Sequence, residues 1–368
     1  MASSAVVNYQ NWHGLTDGRF GYGSMLLGFL DHKPKDVVID PRADVDVLMS
    51  VPFASEGWFT GQYRVCFTMW ETDALPVRFS RILNQYDEIL VPCKHNIPVF
   101  GAHHPKVNYI PLGVDTEWWK PYDREPNQKF RFHAAGSLWM RKGLDRVVEA
   151  FHAAHLPNAE LHIKAAPQAY DTPKNIESDR VFLHRGWMTR EEQRDWFNQA
   201  DCFVAPARGE GFGLIPLQAI ALGVPTIITA TSGQEQFAHL ASTVVGHRKT
   251  HCFMGGRWDE VVFDELVVAM RHHYNNGPSL RAAAKVDAPR AEEFSWVKAA
   301  QKLADHLPTG SKVKAQAKWE KPKDHFEARF SRAAVCEVNG KRWEFQPGVT
   351  YSIPEHVHDI MSANGALE

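Results

Sequence analysis

The chain has 368 residues, 44% hydrophobic and 23% charged, the balance of an ordinary folded protein with room for two domains. A formal charge of −2 gives no global electrostatic reason to bind nucleic acid, and no apolar run approaches the roughly 18 residues of a membrane-spanning helix. The first ten residues have neither a basic start nor an apolar core, so no signal peptide is expected; five scattered cysteines fit reduced thiols in a cytoplasm better than a disulfide frame or a zinc site.

In chain order, the run Gly18-Arg19-Phe20-Gly21-Tyr22-Gly23-Ser24 precedes an apolar helix at Met25–Leu30. Val37–Ile39, Val45–Val51, Tyr63–Phe67 and Glu88–Val91 read as short strands, and Pro76–Tyr86 reads as a helix with proline in its first turn. Strands alternating with helices predict a parallel α/β sheet. Cys66–Pro76 joins a strand to a helix, which puts Glu71 and Asp73 at the carboxyl end of the sheet, where open α/β sheets bind ligands. Glu71 is the candidate for ligand contact or general-base help. Asp73 is the second choice, or a helix cap.

A polar stretch, Asp123–Lys129, ends this first unit, and the pattern restarts. Phe130–Ala135 is a strand, Gly143–Ala154 a helix and Leu161–Ala165 a strand. Thr189 with Glu192 forms a capping box at a helix start. Cys202–Ala205 is a short buried strand, Pro216–Leu222 begins a helix, and Thr226–Thr229 is the next strand. Lysines at 312, 314, 318, 321 and 323 mark a basic linker. The tail alternates in strand fashion over Ala333–Ile353 about a turn at Asn339-Gly340, and Pro354–Met361 reads as a short helix. The domains are therefore drawn at 1–122, 129–307, a linker at 308–325 and a β-rich tail at 326–368.

The most informative segment is Arg208-Gly209-Glu210-Gly211-Phe212-Gly213-Leu214-Ile215-Pro216-Leu217-Gln218-Ala219. It follows a buried strand and opens a helix. Its glycines let a ligand approach the backbone, and the helix start offers free N–H groups and partial positive charge that suit a diphosphate. A second segment, Ala135-Gly136-Ser137-Leu138-Trp139-Met140-Arg141-Lys142-Gly143, makes another strand-to-helix turn with two cations beside it.

Together these segments resemble the donor site of the retaining GT-B glycosyltransferases, whose pattern is Glu, seven residues, Glu. Glu210 is the first Glu, which in that family contacts the donor sugar; the second, which holds the ribose, is Gln218, able to hydrogen-bond but uncharged. Ala221–Ile227 and Ser232-Gly233 continue the resemblance. Lys142 matches the lysine that contacts the diphosphate, and Ser137 stands where the family often has Arg, a charge that Arg141 can supply. Trp70-Glu71 before Leu75-Pro76, Tyr86–Ile89, Pro111–Asp115 and Phe294-Ser295-Trp296 are similar to further family segments. Gly21 and Gly23 match the first glycine loop, which faces the donor phosphates.

The resemblance implies two Rossmann-like domains facing across a cleft, the GT-B fold, with the tail as an appendage. The implied donor contacts are Gly21, Gly23, Ser137, Arg141, Lys142, Glu210, Gly211, Phe212, Gly213, Leu214 and Gln218, with Glu210, Lys142 and Glu71 carrying the chemistry. The implied reaction is retaining transfer from a UDP- or GDP-sugar, needing no metal and no cofactor beyond the donor as co-substrate. A sugar-nucleotide epimerase, or a nucleotide-sugar-binding protein with little activity, is the alternative. Val338–Phe345 through Pro354 is similar to short tails of tailed-phage proteins. That similarity points to a phage-encoded enzyme of the host cytoplasm, acting on a hydroxymethylated DNA base or a virion protein. Asp44-Val45-Asp46, the His103-His104 and His272-His273 pairs, and His356, His358 and Asp359 are read as structural. Trp70, Trp118 and Trp119 are acceptor-stacking candidates for which core packing is the commoner role.

Overall fold

The computed structural model describes residues 8–14, 21–52, 59, 61–76, 79–136, 140–167, 178–252, 255–309, 325–329, 334–338, 341–347 and 350–354. The chain divides into two units, Met1–Gln316 and Ala317–Glu368.

The larger unit holds two parallel six-stranded sheets. The first is built from β1 (Asn8–Gly14), β2 (Val37–Ile39), β3 (Val45–Met49), β4 (Tyr63–Phe67), β5 (Glu88–Val91) and β6 (Val107–Tyr109), in the order β2-β1-β3-β4-β5-β6. Helices α1 (Gly21–His32), α2 (Phe79–Leu83) and α3 (Asn96–Gly101) connect these strands. Strands β3 and β5 are buried along their whole length, as parallel strands covered on both faces must be. Such strands read as short, largely apolar runs, here with one buried acid each, Asp46 and Glu88.

Strand β1 is not among the expected strands, because its core-facing positions include polar residues. Gln10 and Asn11 are buried. The Trp12 indole N–H donates to Gln10 Oε1 at 2.8 Å, and Asn11 Nδ2 donates to Asp46 Oδ1 at 2.7 Å. Asp46 is thus a buried structural acceptor. The helix expected at Pro76–Tyr86 is ordered as the five residues of α2, and residues 77–78 lie outside the described set. Helix α1 begins at Gly21, so Gly21 and Gly23 form its first turn rather than a loop ahead of it.

The second sheet comprises β7 (Phe130–Ala135), β8 (Ala159–Ala165), β9 (Val181–Arg185), β10 (Cys202–Ala205), β11 (Thr226–Thr229) and β12 (Thr243–Val245), ordered β12-β11-β10-β7-β8-β9. Its helices are α4 (Leu144–Ala154), α5 (Arg190–Asn198) and α6 (Leu214–Ala221). Thr189 caps α5 with the expected reciprocal box to Glu192. An antiparallel hairpin follows, β13 (His247–His251) with β14 (Arg257–Val261), and then α7 (Phe263–Asn275), α8 (Gly277–Asp287) and α9 (Trp296–His306). The two parallel sheets, each with its own helices, are the GT-B arrangement.

Helix α9 returns to the first sheet's side and packs on α1. The Trp296 indole lies directly on Gly28 of α1, where an added Cβ would come within 2.3 Å of the ring. Beside it the two chain crossings run together: Val114 N–H donates to Phe294 O at 2.7 Å, and Trp296 N–H donates to Val114 O at 3.2 Å. Farther along α9, His306 reaches the buried Glu88 of β5 at 2.5 Å. Glu88 also accepts from Tyr63 (2.7 Å) and Asn108 (2.7 Å) and pairs with Lys106 (3.0 Å).

In the smaller unit β15 (His325–Arg329) pairs with β18 (Thr350–Pro354), and β16 (Ala334–Val338) pairs with β17 (Lys341–Phe345). The second pairing is the hairpin expected about residues 339–340, which themselves lie outside the described residues. So do 355–368, where the short terminal helix was expected, and most of the linker.

Burial pushes the Glu88 carboxyl up, but hydrogen bonds from His306, Tyr63 and Lys106 outweigh it and bring it from 4.5 to about 2. A group depressed on folding contributes stability above its unfolded value and loses it as pH falls toward its folded one. Urea unfolding at stepped pH should therefore show stability falling from about pH 4.5 toward 2, with Glu88→Gln flattening that decline. An identical pH slope in the variant would remove Glu88 from the account.

Candidate functional site

Three segments meet at the carboxyl ends of the two sheets: the turn after β7, the loop between β10 and α6, and residues 68–76 after β4. The loop is fixed first by Arg208, whose side chain is 3% exposed. It donates to both carboxylate oxygens of Asp145 at 2.7 Å and to Glu260 at 2.5 and 3.0 Å. Asp145 stands in the first turn of α4 and Glu260 on β14, so one guanidinium ties the loop to two elements. Glu210 is then pinned through its backbone. Its N–H donates to Ser232 Oγ at 2.9 Å and its carbonyl accepts from Gly233 N–H at 2.9 Å. Ser232 adopts φ +48°, a strained value for a residue with a side chain. The Ser232-Gly233 pair is in this way brought to the back of the Glu210 loop.

Glu210 is buried and receives two cations. Lys142 Nζ bonds its Oε1, and Arg141 Nη1 lies 3.4 Å from its Oε2 while donating to Gly209 O at 2.7 Å. Glu71 completes the cluster from the first sheet's side, with Oε1 3.7 Å from Arg141 Nη1. Burial pushes Lys142 down and Glu210 only partly restores it. Burial pushes Glu210 up, but Lys142 and Arg141 outweigh it, so its carboxyl lies below the usual range. Two cations and two carboxylates thus share one largely desolvated space.

The first sheet's contribution is held just as closely. Asn96 pins Trp70 from both sides, donating to its carbonyl at 2.6 Å and accepting from its N–H at 3.1 Å. Tyr22 of α1 bonds Thr68 Oγ1 at 3.0 Å and accepts from Met69 N–H at 3.2 Å. Its phenol is pushed up by burial, so it stays neutral. Gly209 meets this segment at close range, for a Cβ there would come within 2.3 Å of Glu71 O. Asp73, read as a second candidate base or a cap, instead accepts from Arg257 N–H at 2.6 Å and Nε at 2.9 Å, bonds that engage both its carboxylate oxygens with β14.

Gly213 has φ +103°, open to glycine, and sets the start of α6. Leu214 and Ile215 follow with N–H groups that have no intrahelical partner, and Pro216 stands where a missing N–H costs nothing. A cavity of about 470 Å³ opens at this point. Gly21, Gly136, Lys164, Trp187, Leu214 and Gln218 are among its lining residues. Gln218 Oε1 is buried in its wall without a hydrogen-bond partner among the described residues, an acceptor that needs a donor from a ligand.

Of the expected site residues, Arg141, Lys142, Glu210 and Glu71 form one cluster, and Gly21, Leu214 and Gln218 line the adjoining cavity. Gly211 faces Met69, 2.1 Å from where a Cβ would stand. Gly23 is buried within α1. The Phe212 side chain is buried in the core against Phe237 and Phe294, at ring distances of 5.8 and 6.2 Å, so only its backbone is available to a donor. Ser137 lies outside the described residues. Trp119 is core, 5.8 Å from Phe197. Trp118 carries the guanidinium of Arg190 at 4.6 Å, and Trp70 turns its N–H inward to Thr72 and Ala74. Arg208, Asn96, Tyr22 and Lys164 were not among the expected site residues. Arg208 and Tyr22 carry a sequence signal, the first at the head of one glycine-rich run and the second inside the other.

Among the described residues no group of three or more His, Cys, Asp or Glu side chains is placed to hold a metal, and no helix is long and apolar enough to cross a membrane.

Residues 129–250 match the family model of group 1 glycosyl transferases. The chain is 25% identical to mannosylfructose-phosphate synthase of Agrobacterium fabrum over 249 residues, covering 61% of this chain and 52% of that protein. It is 26% identical to D-inositol 3-phosphate glycosyltransferase 1 of Catenulispora acidiphila, covering 56% and 52%. The chain thus spans about half the length of these curated relatives. Among solved structures it is similar to WaaG, a glycosyltransferase involved in lipopolysaccharide biosynthesis (TM-score 0.53, 17% identity, 82% of this chain and 99% of that one). It is also similar to Anabaena HepE in complex with UDP and glucose (TM-score 0.57, 13% identity, 79% and 83%). These likenesses give the fold as GT-B.

Removing one partner of a buried ion pair costs roughly 3–5 kcal/mol. Arg208→Ala should lower the unfolding free energy by about that amount, measured by urea denaturation, whereas Lys285→Ala at the exposed pair with Asp123 should leave it nearly unchanged. Equal small effects at both positions would show that Arg208 does not anchor the loop.

Proposed function

We propose that this chain, which carries a group 1 glycosyltransferase domain over residues 129–250, moves a sugar from a nucleoside-diphosphate donor to an acceptor hydroxyl with retention at the anomeric carbon. The observation that carries this reading is the juxtaposition of the Arg141–Lys142–Glu210 cluster with the free amides of α6 and the Gln218-lined cavity. Cations and oriented N–H groups converge where the charge of a departing diphosphate would develop, in a space largely closed to water. Such preorganised donors are worth most in a low-dielectric site.

In this reading Glu210 holds the cations in place until the donor arrives. The diphosphate then draws Lys142 and Arg141 toward itself and takes the Leu214 and Ile215 amides, which leaves the Glu210 carboxylate to accept from sugar hydroxyls. Gln218 Oε1 accepts from the ribose. The C1–O bond to the diphosphate breaks, and the acceptor oxygen bonds C1 on the same face. The departing phosphate oxygen takes the acceptor's proton, so no protein base is required. Glu71 faces this point from the first sheet's side and orients the acceptor hydroxyl. The metal-free character of the reaction belongs to the same proposal, with the cations in the role a metal would fill.

The test is a thermal-shift panel of UDP, GDP, ADP and their sugars, followed by a transfer assay with whichever donor binds. A ligand of the folded state raises the Tm by mass action. At least one nucleotide should stabilise the wild type and fail to stabilise Lys142→Ala. Glu210→Ala should keep nucleotide binding and lower turnover by roughly 10²- to 10³-fold, the cost of losing one preorganised contact in a site of this kind. Absence of any nucleotide shift in the wild type would contradict the proposal.

A further inference from the structure

One cation of the cavity has no use in the scheme above. Lys164 stands near the end of β8 and lines the cavity wall. Among the described residues its ammonium has neither an ion pair nor a hydrogen bond, and burial lowers its pKa. The other cations nearby are satisfied. Arg190 is bonded to Asp115 and stacked on Trp118, while Arg141 and Lys142 are held by Glu210. A part-buried ammonium with no acceptor is costly unless a ligand supplies one.

The sheet order says which part of a ligand would reach it. The sugar and diphosphate end is set by the loop after β10 and the turn after β7. Beyond β7 come β8 and then β9, at about 4.8 Å per strand. Lys164 therefore lies about two strand spacings, roughly 10 Å, from the Glu210 side, and Gln218 lines the same cavity. A nucleotide laid along the strand ends, phosphates at Lys142 and ribose at Gln218, brings its base to Lys164. There it meets Ala166, Trp187 and Met188, also in the wall, whose apolar surfaces suit an aromatic plane.

We propose that Lys164 reads the donor base, donating from its ammonium to a ring carbonyl oxygen, so that the site takes uracil or guanine nucleotides in preference to adenine ones. This rests on the donor site assigned above. An ammonium has three donors and no acceptor. Uracil and guanine present carbonyl oxygens at their edges. Adenine has none and presents an amino group, which would set donor against donor.

Isothermal titration of the full chain with UDP, GDP and ADP tests this, using wild type, Lys164→Met, Lys164→Arg and Lys142→Ala. A hydrogen bond to a charged group corresponds to roughly 10- to 100-fold in affinity. The wild type should bind UDP or GDP tighter than ADP by about that factor. Lys164→Met should bring the favoured nucleotide down to the ADP level while ADP binding stays unchanged, and Lys164→Arg should keep the preference. Equal weakening of all three by Lys164→Met would place Lys164 on the phosphates and overturn the assignment. So would an unchanged preference in that variant, or an ADP preference in the wild type. Lys142→Ala separates the two levels. Nucleotide binding lost in Lys142→Ala with selectivity intact in Lys164→Met sinks only the base assignment, whereas full binding by Lys142→Ala sinks the donor site itself.

Discussion

The site is organised by a buried carboxylate that must be paired. Glu210 cannot sit ionised in its desolvated loop without Lys142 and Arg141, and the two cations cannot crowd together without Glu210. That mutual requirement fixes the turn after β7 against the loop after β10. Arg208 adds a second fixed point, and Ser232 and Gly233 hold the Glu210 backbone from behind. Because the cations are already gathered, a diphosphate arriving at α6 would be met by charge that needs little reorganisation, which is the condition under which electrostatic stabilisation is strongest.

The first sheet is brought to this cluster by packing as well as by charge. Trp296 on Gly28 and the paired crossings at Val114 and Phe294 fix how α9 lies on α1. The Glu88 network extends that attachment to His306, near the end of α9. Through Tyr22 and Asn96, α1 and α3 then hold residues 68–71 against Gly209. Together these contacts set the position of Glu71.

The sequence made the second sheet and its site legible because their chemistry is local. Glu210, the glycine run, Gln218 and Lys142 all lie on strand–turn–helix segments a few residues long, where turn geometry and charge are written side by side. The first sheet was less legible. Strand β1 hides behind the buried polar pair Gln10 and Asn11, whose partners are set by the fold. Tyr22 and Asn96 act on residues 46 and 26 positions away, a relation that no local pattern encodes. Phe212 shows the opposite failure: its place in a binding motif suggested a contact, but its ring went to the core. Lys164 is a lone lysine in an alternating strand, and only the cavity gives it a role.

A structure of the chain with a bound nucleoside diphosphate would show whether the cations of the Glu210 cluster turn to the donor. The diphosphate should lie within hydrogen-bond distance of Lys142 Nζ and the Leu214 and Ile215 amides, with Lys142 drawn away from Glu210. A nucleotide bound elsewhere, or one bound with the Lys142–Glu210 contact intact and the α6 amides untouched, would contradict the proposed donor site.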